Sequence, residues 1–209
     1  GRAWEIMVLF LVTEGLSLDL RFTGQVEHRP LKKGWGRSTE ENGSINMKQE
    51  SEELAVVAAR TIAHYNEHAE DFWIGTRDHD VKQNIDALLR HILAVPPLCI
   101  LDLGCGPGRD LATFRALGHE PIGVEGSRQL AAMARKHSGC EVWGQDFLAL
   151  QLPAHRFDGI FANASLFHVP RRELQRVLVE QHASLKPDGV LLASNPRGNN
   201  EEGWNHGRY

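Results

Sequence analysis

The apolar residues of this chain change their spacing twice. Near the start, the run IMVLFLV at residues 6–12 is followed by Leu16, Leu18, Leu20 and Phe22, which alternate with Ser17, Asp19, Arg21 and Thr23. A period of two predicts strands, here a pair around a Glu14-Gly15 turn. From Gln25 the chain becomes polar and glycine-rich, through Lys32-Lys33-Gly34-Trp35-Gly36 to Glu40-Glu41-Asn42-Gly43-Ser44, which is linker composition. Residues 50–68 then carry Leu54, Val57, Ala58, Ile62 and Tyr65 at helical spacing, and residues 80–93 put Ile85, Leu88, Leu89 and Ile92 on one helical face. Pro96-Pro97 stops that helix. Beyond it the pattern predicts strands at 99–103, 121–124, 141–143, 159–162 and 189–194, with helices at 109–117, 128–137 and 172–184. Such alternation predicts an α/β fold: a doubly wound, mostly parallel sheet with helices on both faces. The chain thus divides into an appendage at 1–46 and a main domain at 47–209, helical over 47–97 and built on the sheet over 98–209.

Composition narrows the partners. A length of 209 residues suits roughly one domain of ~100–200 residues plus an extension. Lys plus Arg number 23 against 27 Asp plus Glu, and a net charge of −4 gives no electrostatic case for nucleic acid or an anionic membrane. No apolar run approaches the ~20 residues of a membrane-spanning helix, and residues 6–12 lack the basic flank and cleavage site of a secretory signal. The three cysteines, Cys99, Cys105 and Cys140, are odd in number and two fall in buried-type stretches, so a disulfide framework is not expected. The expectation is a soluble chain in a reducing, cytoplasmic setting that works on small molecules. The chain starts at Gly1, and Met47 reads as the natural start of the main unit.

Candidate chemistry begins at Gly104, Gly106 and Gly108, which follow the first main-domain strand at its carboxyl end, where open parallel sheets bind ligands. Bare backbone there lets a ligand approach, and the next helix offers unpaired N–H groups. A dinucleotide cradle needs G-x-G-x-x-G, but the third glycine position holds Arg109. At the end of the second strand, in PIGVEGS, Glu125 stands 21 residues beyond Gly104, placed for the hydroxyls of a ribose, with Gly126 beside it. After the third strand comes GQDF, with Asp146 and Phe147 set to read an adenine edge and cover its face. After the fourth, FANASLFHV brings Asn163, Ala164 and Ser165 to the reactive end.

In these motifs the chain resembles a class I S-adenosylmethionine-dependent methyltransferase over roughly residues 59–196. The family's glycine motif matches LDLGCGPG, its ribose-binding acid Glu125, its adenine-binding acid Asp146, its fourth-strand loop Asn163-Ala164-Ser165, and its LKPGG turn LKPDGV at 185–190. HYNEHAEDFW at 64–73 resembles the YDxxAxxF segment that closes over the cofactor, with Asn66 in place of the acid. The resemblance implies a Rossmann-like core, S-adenosyl-L-methionine as cofactor, methyl transfer to a small molecule and residues 47–97 as a helical lid. It also implies two further strands after the fifth, which are not found here: either the 6–23 hairpin covers the open edge, or residues 1–46 are a disordered or foreign extension and the C-terminus is truncated.

Within that frame Tyr65, Phe72 and Trp73 are either core aromatics or partners of the sulfonium, whose charge aromatic faces attract. Arg77 either binds the cofactor's carboxylate or pairs with Asp78 or Asp80 on the surface. His79 is a weaker candidate for the pocket. Asp102 is either a cofactor ligand or the acceptor for the glycine turn's N–H groups, and Cys105 reads as a small side chain tolerated beside a ligand. His168 is the candidate general base, its imidazole titrating near neutrality. Asn195, Arg197, Asn199 and Asn200 follow the last strand and are candidates for substrate contact. No His-based metal signature occurs. Two other functions fit the same pattern less well: a nicotinamide oxidoreductase, opposed by Arg109, and a catalytically impaired cofactor-binding adaptor, suggested by the short C-terminal part.

Overall fold

A computed structural model describes residues 40–195 and 202–209, with side chains from residue 52 onward. The hairpin at 6–23, most of the linker, and Arg197, Asn199 and Asn200 lie outside the described residues. Three helices come first: α1 (Glu40–Glu67), α2 (Ala69–Thr76) and α3 (Lys82–His91). Residues 40–44, with linker composition, are therefore helical, and the expected boundary at Met47 falls inside α1. Five strands and three more helices follow: β1 (Cys99–Leu103), α4 (Arg109–Ala116), β2 (Glu120–Val124), α5 (Arg128–Ser138), β3 (Glu141–Trp143), β4 (Phe157–Asn163), α6 (Arg171–Ser184) and β5 (Leu185–Ser194). Short 3₁₀ turns, Phe147–Ala149 and Leu166–His168, follow β3 and β4.

The strands form one sheet in the order β3-β2-β1-β4-β5, every pair parallel. Such a sheet is buried on both faces, which is why β1 and β4 read as near-continuous apolar runs. Successive side chains point to opposite faces. Ile100 therefore joins Leu88 of α3, Ile92 just past its end, Phe114 of α4 and Phe161 of β4, all fully or nearly fully buried. Leu101 and Leu103 go the other way, toward Val177 of α6 and Leu166. A third apolar cluster, around Leu111, Ala131, Ala134 and Val142, seats α4 and α5 on the β2–β3 side. The order steps from β1 to β2 on one side and to β4 on the other, and the crevice opens at their carboxyl ends.

Helix α5 shows how local sequence marks an element. Ser127 caps its start by accepting from Leu130 N, and Gly139 closes it at φ +66°, the left-handed conformation that glycine adopts without penalty. β5 begins four residues earlier than the pattern predicts. Leu185 already pairs with Phe157, and the register shifts before Gly159 meets Val190, so KPDG is a bulge within the strand, with Asp188 at φ +62°.

Candidate active site

The glycine turn is built from backbone. The N–H groups of Gly104 and Cys105 both donate to Val124 O, at 2.8 and 3.1 Å, and Gly108 N donates to Cys105 O. Gly106 N donates to Glu125 Oε2 at 3.0 Å, while Glu125 Oε1 accepts from Ser127 N at 2.8 Å. The turn therefore draws nothing from Asp102, contrary to that expectation. Each glycine has a separate reason. Gly104, at φ +77°, has no room for a Cβ, which would sit 2.6 Å from Ser165 Cβ and 2.9 Å from Phe147 Cζ across the pocket. Gly108, at φ +89°, faces away from the pocket: its Cβ would meet the backbone of Ala134 on α5 at 2.7 Å. Its bare Cα lets α4 and α5 pack closely, and Gly108 is not among the residues that line the pocket.

The pocket lies over this turn. Gly104, Gly106 and Glu125 form its floor with Gly126; Asp146 and Phe147 line one side and Ala164 and Ser165 another. Thr61, Ile62 and Tyr65 from α1 and Phe72 from α2 face them, and His168 completes the wall. Asp146 is held in place by accepting from Leu148 N at 2.9 Å, which caps the 3₁₀ turn after β3. Ala164 sits at φ +55°, pinned by its N–H to Ser194 O at 2.8 Å. Asn66, where the family motif has an acid, accepts from Ser127 Oγ at 2.9 Å and Gln129 N at 3.2 Å, so α1 is tied to the start of α5.

Other expected residues go elsewhere. Trp73 stacks on His137, ring centroids 4.5 Å apart, and Arg77 lies on the surface beside Asp78 at 3.3 Å. Both therefore drop out of the pocket wall. His79 is exposed. Cys105 is buried, its thiol pKa raised well above the usual value by burial and by the charge of Asp102, and its Sγ packs beneath Gly123. Asn163 does not line the pocket. Its Oδ1 accepts from Asn84 Nδ2 at 2.8 Å and from Ser194 Oγ at 2.5 Å, linking α3 to β5. Arg109 donates to Thr76 O at 2.8 Å and to both carboxylate oxygens of Asp110, fastening the end of α2 to the start of α4. The wall residues Thr61 and Ile62 escape the sequence reading because periodicity marks only which helix face is covered, not what covers it.

Electrostatics mark the site as well. Burial raises the Glu125 pKa, and the N–H groups of Ser127, Gly106 and Gly126 oppose the rise by stabilising the anion. Asp102, 2 % exposed, is raised well above its usual value, first by burial and then by the neighbouring Asp110 charge. Its Oδ2 has no partner among the described residues, and neither has Ser165 Oγ, which lines the pocket. His168 is pushed down to about 4 by burial, so it is neutral at neutral pH. Its Nδ1 meets Tyr209 O, which can only accept, so Nδ1 carries the proton; Tyr65 Oη, 2.9 Å away, donates to Nε2 and itself accepts from Arg208 Nη1 at 3.0 Å.

Comparison with known proteins agrees with this geometry. Residues 100–189, from β1 to the bulge of β5, match the family model described as "Methyltransferase domain". This part of the chain is thus similar to methyltransferase domains. Among curated proteins the chain is 29% identical over 139 residues to a malonyl-[acyl-carrier protein] O-methyltransferase of Enterobacter lignolyticus (strain SCF1), covering 66% of this chain and 51% of that one. It is 35% identical over 118 residues to a trans-aconitate 2-methyltransferase of Azoarcus sp. (strain BH72), covering 54% and 46%. The chain thus spans about half the length of these relatives. Among solved structures, the 1,6-didemethyltoxoflavin-N1-methyltransferase of Burkholderia thailandensis, with S-adenosylhomocysteine bound, superposes with a TM-score of 0.53 at 25% identity, over 68% of this chain and 61% of that one. No helix among the described residues is long and apolar enough to cross a membrane.

The buried Asp102 gives one prediction at this site. Its folded pKa is raised, so its contribution to stability is full below the unfolded value near 3.8 and is lost as pH rises through the folded value. Asp102→Asn removes that loss. Without ligand it is expected to stabilise the fold by about 1–3 kcal/mol at pH 7, a gain that disappears toward pH 3.8. Urea denaturation at both pH values measures it; an equal effect at the two would contradict the assignment.

Proposed function

We propose that this chain binds S-adenosylmethionine in the pocket over the glycine turn and transfers its methyl group to a small molecule. The observation that carries the reading is a pair of buried acceptors in one pocket: Glu125 in its floor, anchored by two backbone N–H groups, and Ser165 Oγ in its wall, without a partner among the described residues. A nucleoside with an ammonium-bearing tail supplies a donor to Ser165 Oγ and further donors to the Glu125 carboxylate, whose oxygens keep lone pairs beyond the two backbone bonds, and the bare Gly104 and Gly106 leave backbone at the pocket floor. The residues fit the group. When bound, it supplies an electrophilic methyl on a sulfonium. Glu125 would accept from ribose hydroxyls, while Asp146 and Phe147 would take the base. Tyr65 and Phe72, perpendicular at 5.3 Å between centroids, would bring aromatic edges and faces to the cation.

The domain then mainly aligns donor and acceptor, which contributes about 7–11 kcal/mol in well-oriented intramolecular reactions. His168 suits a modest role. With Nδ1–H donated to Tyr209 O and Nε2 accepting from Tyr65, both ring nitrogens are engaged, and its lowered basicity makes it a poor resting base. A nicotinamide site gains no support, because Arg109 is spent on Thr76 and Asp110. Free thiols at Cys99, Cys105 and Cys140 suit a reducing, cytoplasmic location. Isothermal calorimetry with S-adenosylhomocysteine tests the reading: micromolar binding is expected, and Gly106→Arg, which fills the floor facing Phe72, abolishes it. Folded wild-type protein that gives no heat would refute the proposal.

A further inference from the structure

Thr61, Tyr65 and His168 line the same wall of the pocket, and each is bonded to residues 208–209 of the chain itself. Tyr209 N donates to Thr61 Oγ1 at 3.1 Å, and its carbonyl oxygen accepts from His168 Nδ1–H. Arg208 reaches Tyr65 Oη. The wall thus reads both the N–H and the C=O of one residue.

The segment that delivers this residue is not part of the core. Residues 202–207 are exposed, and polar and ring contacts hold them rather than apolar burial. Glu202 accepts from Arg171 N at 2.7 Å, and Arg60 lies 3.9 Å over the Trp204 ring, which stands edge-on to Tyr209. An Asn205–Arg208 main-chain bridge turns the segment back, and Gly207, at φ +84°, lies so close to His64 that a Cβ would meet Nδ1 at 2.8 Å. Held this way, the segment contributes no residue to the apolar clusters of the sheet core.

We infer that Thr61, Tyr65 and His168 form a subsite for an amide-bearing acceptor molecule, which residues 202–209 occupy as a displaceable strap. The inference rests on the methyltransferase reading of the adjoining pocket. A ligand that replaces the strap must offer a carbonyl oxygen to His168 Nδ1–H, since a neutral Nδ1 can only donate, and an N–H to Thr61 Oγ1. Tyr65 keeps His168 in that tautomer.

The experiment uses full-length protein saturated with S-adenosylhomocysteine and titrated with N-acetyl-L-tyrosinamide, which reproduces the N–H, carbonyl and ring of residue 209. Hydrogen exchange of residues 203–209 is followed by mass spectrometry, and strap release is read from Trp204 emission as the difference from Trp204→Phe. Saturable loss of protection is expected, with binding about tenfold weaker in the isosteric Thr61→Val, where a buried hydrogen bond is left unmade. Tyramine, which has the ring but no carbonyl, leaves exchange unchanged. Arg208→Glu presents a carboxylate to Tyr65 and raises exchange across the strap without the amide. Unchanged exchange with the amide, an equal response to tyramine, equal binding by Thr61→Val, or an inert Arg208→Glu each overturns the subsite. Calorimetry on the same sample separates the two ideas: homocysteine-nucleoside binding without these responses removes the subsite alone, and its absence from folded protein removes the reading beneath it.

Discussion

Gly104→Ala is expected to weaken S-adenosylhomocysteine binding about 100-fold, equivalent to about 2.7 kcal/mol, and to lower stability at the same time. Two effects add. Alanine at φ +77° occupies the left-handed region, at about 1–2 kcal/mol. Its methyl also lands 2.6 Å from Ser165 Cβ and 2.9 Å from Phe147 Cζ, so two opposite walls of the pocket must move apart. Phe147 sits on a short 3₁₀ turn and can yield. Ser165 cannot yield easily, because Ala164 before it is fixed to Ser194 on β5. Displacing it disturbs the floor on which the ligand's reactive end would lie. Calorimetry beside thermal melting measures both effects, and affinity within threefold of wild type would show that the ligand does not rest on Gly104.

Gly108→Ala separates stability from binding. Here the added methyl meets main chain, Ala134 Cα at 2.7 Å and Ala134 O at 2.9 Å, and no rotamer change relieves it. The left-handed penalty and the overpacking together amount to roughly 2–5 kcal/mol. At about 2–4 °C per kcal/mol for a chain of this size, the melting temperature falls by roughly 5–15 °C. The fraction that remains folded should bind S-adenosylhomocysteine nearly as tightly as wild type, because the residue points at α5 and not at the ligand. A large loss of affinity at full folding would return Gly108 to the site. Two glycines four residues apart thus carry different duties.

The contrast shows where sequence reasoning reached and where it stopped. Helices and strands from residue 82 onward lie within a few residues of expectation, since each pairs a clear apolar period with a punctuating residue: Ser127 and Gly139 around α5, for example. Residues 40–44 misled because Asn and Gly lower helix propensity without forbidding a helix, and α1 carries through them. Glu125, Asp146, Phe147, Ala164 and Ser165 meet at one pocket because strand ends in a parallel sheet gather on one edge, so their order along the chain already implied their meeting.

Trp73, Arg77, Cys105, Gly108 and Asn163 left the site for reasons that appear only in three dimensions. Trp73, Cys105, Gly108 and Asn163 each stand one or two residues from one that lines the pocket but face His137, Gly123, α5 and Asn84 instead, while Arg77, past the end of α2, lies on the surface. By itself the sequence determined the parallel α/β core, the place of the crevice and which residue types meet at it, because these follow from local periodicity and from the residues at strand ends. Only the tertiary structure decided which aromatic and polar groups wall the crevice, the tautomer of His168 and the strap laid across it. Those depend on contacts between residues more than a hundred positions apart, such as Tyr65 with His168 and Thr61 with Tyr209, and no pattern within a single element encodes them.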